Sequence, residues 1–543
     1  YPDIPATKTA RRAWLHRLRD SVEPFGLFAL ANTLAGVLLA WLLISVRCVS
    51  VRFPSERSPA VRVLLGSVPL VLVYCLLLTK SRTAWVACAV SVVVWAGSRL
   101  WRRTGSSRTP TVVAGVVTVL LDVGIGIAAL GGGLDRKVIS EAPKSLRYRL
   151  QYWSSTIQMI ADTPLLGVGP GNFRENYLHY KLPEASEEIA DPHNFLLDVW
   201  ANGGLLALLG MMAVSAGLGR ALLLSWKSDD SDQTGSSDNK TTHSNIGFGG
   251  LAIAWGVTIF VSLALEATVD LRLIPLAFVA GAIYWLLTVT GPELSPRTPI
   301  GLSALAGIAL LIHLLGAGGI EMPAISLTLL FFWAVSQSAT ASESTNFMKR
   351  LQPGLWAGKA ITAVMLLSFV LCLLTATAPV IQTQALVRAG DAAVMEYVLS
   401  PTAESLYRQA AATDSLSPEP PSRLAQVAIR HWQFNPVKEA ARFDEAVEYQ
   451  RQANSLDPQS PWGHRTLAMW YADRYRRYEK VEDGISAEEA MSQAVKRYPA
   501  SAALQSDLAI VQATVGKSQQ AAETASQAIA LDRINREEGH SDK

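Results

Sequence analysis

An imidazole and two guanidiniums stand at the edges of apolar runs in the first two hundred residues. His193 lies in Asp191-Pro192-His193-Asn194-Phe195-Leu196-Leu197, where an apolar helix opens. A side chain that titrates near neutrality can take a proton from a hydroxyl; the plainer role at a helix start is a surface or capping residue. Arg82 lies in Lys80-Ser81-Arg82-Thr83-Ala84-Trp85, at the junction of two apolar runs. An arginine at a helix end can also simply snorkel to water. Arg149 belongs to SLRYRLQYWSSTIQMIADT (145–163), which predicts a helix with Tyr148, Trp153, Ile157 and Ile160 toward one face. Pro164-Leu165-Leu166-Gly167-Val168-Gly169-Pro170-Gly171-Asn172-Phe173 follows. Glycines at alternate positions let a backbone approach a ligand and aim N–H groups at an anion; otherwise they only make a turn. Glu187, Glu188 and Asp191 read as a solvated loop face. Glu266, Asp270 and Arg272 mark a later turn, closed by an ion pair or forming a second wall of a binding site. No Ser–His–Asp order or paired-carboxylate motif points to a covalent intermediate.

These residues depend on membrane helices for their placement. The 543 residues are 50% hydrophobic and only 17% charged, with 48 Lys+Arg against 45 Asp+Glu and a net charge of +3. Soluble domains carry about 25% charged residues, so a purely soluble enzyme is disfavoured. The near-neutral balance gives no sign of nucleic-acid binding. Apolar stretches near the roughly 20 residues needed to cross a bilayer occur at 25–46, 61–79, 83–98, 111–131, 194–225, 247–268, 271–290, 300–316, 322–338 and 359–380, about ten spans. The chain opens on Tyr1, which leaves room for further helices upstream, and 25–46 reads as a retained helix. Trp14 and Leu18 among Arg11, Arg12, Arg17 and Arg19 suit a surface amphipathic helix or a polar loop. Basic loops at 47–62, 99–110 and 349–359 set the cytoplasmic side, although the basic segment 8–19 then falls opposite. This orientation puts 132–193 and everything after 380 outside the cytoplasm, in the bacterial periplasm.

The polar loop 226–246 contains Asp230-Ser231-Asp232, a spacing that some glycosyltransferases use for a metal; its solvated, isolated setting argues for a plain linker. Cys48, Cys75, Cys88 and Cys372 lack metal-ligand spacing and read as buried small hydrophobes. Residues 381–543 hold 40 of the 93 charged side chains, which marks a water-soluble region. Ala494-Val495-Lys496-Arg497-Tyr498 and Ala528-Ile529-Ala530-Leu531-Asp532 lie 34 residues apart, and Ala453-Asn454-Ser455-Leu456-Asp457-Pro458 lies 41 before Ala494. That period resembles tetratricopeptide repeats, whose stacked helix pairs form a concave binding surface; an irregular helical bundle is the alternative.

Taken in order, SRTAW, R-x-x-x-W, PLLGVGPGNF and H-N-x-x-L followed by a Gly-Gly-Leu helix closely resemble the O-antigen ligase family of multi-pass membrane glycosyltransferases. Asn32-Thr33-Leu34-Ala35-Gly36 adds to the likeness, which covers about 25–290 and is densest over 145–210. One departure is Asn202, where the family often has Glu. The resemblance implies an all-α chain. A GT-C-like polytopic membrane bundle would occupy 25–380, after a surface segment at 1–24, and a periplasmic helical-repeat domain would occupy 381–543. It implies transfer of a glycan from undecaprenyl pyrophosphate to a hydroxyl of lipid A core, another glycan or a protein. Arg82 and Arg149 would clamp the pyrophosphate, as forked guanidiniums do, and His193 would deprotonate or orient the acceptor. Gly167, Gly169, Gly171, Asn194 and Asp270 would contact substrate; neither cofactor nor metal is implied. Polysaccharide polymerases and protein glycosyltransferases share the pattern. Outside this class, a secondary transporter would show matched inverted halves, which the chain lacks. A membrane scaffold would not need Arg82, Arg149 and His193 together.

Overall fold

A computed structural model describes residues 31–52, 58–104, 142–185, 187–228, 298–338 and 370–539, with a few positions between 360 and 368. Every regular element among them is helical. Described residues 31–228, 298–338 and 459–539 fall in one compact unit, and 370–458 in another.

In the first unit, α1 (Ala31–Arg52), α2 (Pro59–Leu78) and α3 (Arg82–Thr104) come first in the chain. Ser58 caps α2 by accepting from the Val61 N–H, and Pro59 presets its first turn. The helix stops where Lys80 turns left-handed (φ 52°), and α3 starts two residues later at Arg82. After α4 (Ala142–Asp162) and α5 (Phe173–Tyr180) comes the long α6 (Phe195–Ser228). The hub is α7 (Thr298–Leu314), which packs against α1, α3, α6 and α8 (Pro323–Ser338). Ala304, Leu310 and Leu314 on α7 meet Leu218 and Ala221 of α6 and Ile325 of α8, all buried. Between helices in lipid, close packing of small residues replaces the hydrophobic drive, and Ala304, Ala306 and Ala309 are small buried residues through which α7 meets different neighbours.

Three described helices, Pro59–Leu78, Phe195–Ser225 and Val370–Glu396, are long and apolar enough to cross a membrane; four shorter apolar ones cover 31–46, 82–95, 301–314 and 324–337. Leu70, Leu206, Leu209 and Phe331 are exposed on the apolar helices, an arrangement suited to lipid rather than to water. The expected spans 111–131, 247–268 and 271–290 lie outside the described residues. So do the segment 8–19, the Asp230-Ser231-Asp232 triplet, and Glu266, Asp270 and Arg272. The expected 380/381 boundary falls inside a continuous apolar helix rather than at its end. Cys75 and Cys88 are half-buried, but Cys372 is exposed, against the expectation of burial, on a helix face that no described residue covers.

The C-terminal residues form helix pairs in each unit. In the second unit α9 (Ala378–Glu396) pairs with α10 (Pro401–Thr413), and α11 (Glu419–Phe434) with α12 (Ala440–Leu456). In the first unit α13 (Pro461–Tyr478) pairs with α14 (Val481–Arg497), and α15 (Ala502–Thr514) with α16 (Ser518–Gly539). Ala453, Ala494 and Ala528, the positions that recur in sequence, are each buried on the second helix of a pair. The first helices begin at Glu419, Pro461 and Ala502, so the pairs repeat at a longer interval than 34 residues.

Candidate active site

The candidate site lies in the first unit, where α3 begins, α4 passes and the chain enters α6. The buried face of α4 carries Tyr152, Ser155, Thr156, Met159 and Ile160. Ile157, expected to share one face with Tyr148, Trp153 and Ile160, is 56% exposed, because burial follows the three- and four-residue steps from Tyr152, which miss it. Tyr152, Met159 and Ile160 pack on Phe173 and Tyr177 of α5 and on Ile189 and Ala201. The Trp153 indole donates to the Pro192 carbonyl at 3.0 Å, tying α4 to the turn that holds His193.

His193 has a left-handed backbone, φ 52°, uncommon for a residue with a Cβ. Asp191 holds it there: its Oδ1 accepts from the His193 backbone N–H and from Nδ1, both at 2.7 Å. A carboxylate on Nδ1 leaves Nε2 as the nitrogen with a lone pair when the ring is neutral. Among the described residues Nε2 has no hydrogen-bond partner. Burial lowers the basicity of His193, but the hydrogen bond and charge of Asp191, with Glu187, outweigh it against the opposing Arg149, so the pKa lies above the ordinary value. The ring meets Tyr152 edge-on, 6.4 Å between centroids, and the Tyr152 hydroxyl donates to Glu187 at 2.8 Å.

Asp191, half-buried, therefore belongs to the site, contrary to its reading as part of a solvated loop face, whereas Glu187 is exposed as that reading expects and accepts the Tyr152 hydroxyl. The signal in the sequence was the two-residue Asp-x-His spacing, which a tight turn folds onto itself. Glu188 is the more peripheral carboxylate and pairs with Arg174 at 3.4 Å. The Asp191 carboxylate presses on Gly318, where a Cβ would collide with it. Glu321 follows in the same α7–α8 turn, and burial together with the Asp191 charge raises its carboxyl above the usual range. Sequence reasoning gave no signal for Glu321, which reaches the site only through helix packing.

Arg149 lies within electrostatic reach of both His193 and Arg82. Burial, then the positive charge of Arg82, lowers its pKa. Neither guanidinium has a carboxylate ion-pair partner among the described residues. Two like charges held together in a half-buried place repel unless an anion lies between them. Of the three expected site residues, Arg149 is thus the one that neighbours both others. Asn194 serves as the N-cap of α6: its Oδ1 accepts from Leu196 N at 3.0 Å and from Leu197 N at 3.4 Å.

The glycine run is used differently from the expectation that its N–H groups face an anion. Helix α6 is broken at Gly204 (φ 69°, ψ −169°), a conformation open essentially to glycine alone. The break frees the carbonyls of Ala201 and Asn202 and the N–H of Leu205. Residues 164–169 satisfy them: Val168 N to Ala201 O at 2.8 Å, Gly169 N to Asn202 O at 3.0 Å, and Leu205 N to Pro164 O at 3.0 Å. Gly167 N goes to Thr163 O, and a Cβ at Gly167 would come within 2.5 Å of Ala201 O. The N–H groups of Val168 and Gly169 are therefore committed to repairing the broken helix, and that of Gly167 to the Thr163 carbonyl. Asn202 donates to Asp198 Oδ1 at 2.7 Å, so the amide serves a buried local pair. Gly171 has open space around it. Among the described residues no group of three or more His, Cys, Asp or Glu is placed to hold a metal ion.

No curated protein sequence matches the chain. Residues 67–212, which contain Arg82, Arg149, the glycine run and His193, match the family model described as O-antigen ligase, and this match supports a membrane glycosyltransferase of the O-antigen ligase or polymerase type.

Proposed function

We propose that the chain transfers a glycan from undecaprenyl pyrophosphate to an acceptor hydroxyl at the periplasmic face of the bacterial inner membrane. The observation that carries this reading is the pair of guanidiniums, Arg82 and Arg149, held without carboxylate ion-pair partners among the described residues and beside an imidazole that Asp191 orients. His193 Nε2 takes the acceptor O–H proton. The acceptor oxygen attacks the anomeric carbon, the bond from that carbon to the pyrophosphate oxygen breaks, and the pyrophosphate leaves with the electron pair. Arg82 and Arg149 stabilise the charge that grows on it, a task that two fixed cations can perform without a metal. Direct attack inverts the anomeric centre. His193 returns its proton to solvent, and the neighbouring carboxylates stabilise its charged form meanwhile.

Gly167 and Gly169 shape the floor of the site through the repaired break in α6, while Gly171, Asn194 and Asp270 are the remaining candidates for substrate contact. Lipid A core is the acceptor in the ligase reading. The helix pairs at the C-terminus, read as tetratricopeptide-like, favour a second reading in which they recruit a protein partner or acceptor. Deleting the gene and analysing lipid-linked glycans and surface polysaccharide by gel and mass spectrometry tests the proposal. Accumulated carrier-linked chains beside bare lipid A core identify a ligase, and single repeat units on the carrier identify a polymerase. An unchanged glycan inventory would refute both.

A further inference from the structure

His313, on the hub helix α7, has no part in the steps above, yet it is 0% exposed and touches two other helices. Its Nε2 lies 2.9 Å from the backbone carbonyl of Asn32 on α1, and its Nδ1 lies 3.0 Å from the Thr83 hydroxyl on α3. A carbonyl oxygen has no proton to give, so Nε2 must donate. No carboxylate faces the ring among the described residues, and an unpaired charge in such a place is costly, so the ring is neutral and Nδ1 accepts. Thr83 then spends its only hydroxyl proton on Nδ1. The Ser81 hydroxyl, 3.3 Å from Thr83 Oγ1, must therefore donate to Thr83. The hydrogen bonds run in one direction: Ser81 to Thr83 to His313 to the Asn32 carbonyl.

Two features show that this contact is built for the ring. Gly36, one turn after Asn32, leaves the ring its space: a Cβ there would lie 2.9 Å from His313 Cδ2. The run Asn32-Thr33-Leu34-Ala35-Gly36 is thus a socket, with a carbonyl that sets the tautomer and a glycine that admits the ring. At the other end, Ser81 and Thr83 are the two residues flanking Arg82, at the first turn of α3.

We propose that His313 is a positioning residue for Arg82: through the Thr83 and Ser81 hydroxyls it fixes the rotation of the first turn of α3, aiming the guanidinium toward Arg149 and the diphosphate between them. This rests on the reading of Arg82 as a pyrophosphate ligand.

The test uses the full-length protein in lipid nanodiscs with undecaprenyl pyrophosphate as the probe. Thr83→Val keeps the shape of the side chain and removes the hydroxyl, leaving Nδ1 buried without a donor. It should weaken binding about tenfold, while Thr83→Ser, which restores the hydroxyl, should bind within about twofold of the parent. Arg82→Ala should weaken binding at least as much, and adding Thr83→Val to it should cost nothing further, because a positioning residue has nothing left to position. In nitrogen-15 spectra of histidine-labelled protein, the signal lost in His313→Asn should show Nε2 protonated and Nδ1 bare. Parent-like binding by Thr83→Val alongside weak binding by Arg82→Ala overturns the inference. So does an undiminished Thr83→Val effect in the Arg82→Ala background, or a ring protonated at Nδ1. Parent-like binding by Arg82→Ala would instead refute the pyrophosphate reading on which the inference stands.

Discussion

Replacing Asp191 with Asn should move the acid limb of the pH–rate profile to lower pH. The amide oxygen of Asn can still accept from the His193 backbone N–H and from Nδ1, so the turn and the tautomer are kept while the negative charge is lost. With contact atoms 2.7 Å apart, the charge centres stand about 4 Å apart, worth about 1 kcal/mol in a water-like dielectric and about 4 kcal/mol at an effective value of 20. The His193 side chain is 33% exposed and that of Asp191 17%, so screening by solvent favours the lower end. Since one pKa unit is about 1.4 kcal/mol, the expected displacement is about one pH unit. The base must be neutral to accept a proton, and its pKa in the folded protein is raised. Transfer should therefore fall as pH drops through that value in the parent, and only at lower pH in the variant. Stability should respond in the opposite sense: the raised pKa stabilises the fold below the unfolded value, and the gain fades as pH rises through the folded one. The assay is kcat/KM against pH for parent and Asp191→Asn in nanodiscs. An unmoved or upward-shifted acid limb would refute the pairing of Asp191 with the base.

Other outcomes follow from the same contacts. Gly204→Ala puts a Cβ into the Leu165 carbonyl at a glycine-only conformation and should destabilise the fold by roughly 3 kcal/mol, measured as a lower thermal midpoint of the detergent-purified protein; an unchanged midpoint would count against the repaired break. Asn194→Ala removes the cap of α6 and should cost about 1 kcal/mol, read in the same way; an unchanged midpoint would count against the cap. Lys181 stands 5.5 Å from the centroid of the Tyr498 ring, both side chains are buried, and His179 Nδ1 meets the Lys496 carbonyl at 3.0 Å. Tyr498→Ala should therefore loosen the packing of α14 on residues 173–188 and speed hydrogen exchange there, leaving exchange in α7 unchanged.

The helices and the basic residues were legible because they depend on composition and period. Arg82, Arg149 and His193 stand out because charged and imidazole side chains beside apolar runs are costly to keep without a purpose. What the sequence could not express was the destination of each hydrogen bond. The glycines at 167 and 169 signal positive φ and close approach, but whether their N–H groups face a ligand or a helix depends on the break at Gly204, reached only in three dimensions. Asp191 looked like one of three loop carboxylates until the turn folded it onto His193. Steps of five, four and three residues put Tyr148, Trp153, Ile157 and Ile160 toward one face of α4, whereas the helix buries the row from Tyr152 and leaves Ile157 exposed. His313 left only a faint trace, a single imidazole within an apolar span, and its partners lie 230 and 281 residues away along the chain.

The most direct measurement of the central claim is transfer of a labelled glycan from undecaprenyl pyrophosphate by purified Arg149→Lys and His193→Ala protein. Lysine keeps the charge but loses the fork, and alanine removes the proton acceptor. The account predicts that both variants insert into the membrane and accumulate like the parent while transferring no glycan. Transfer at the parental rate by both would contradict it.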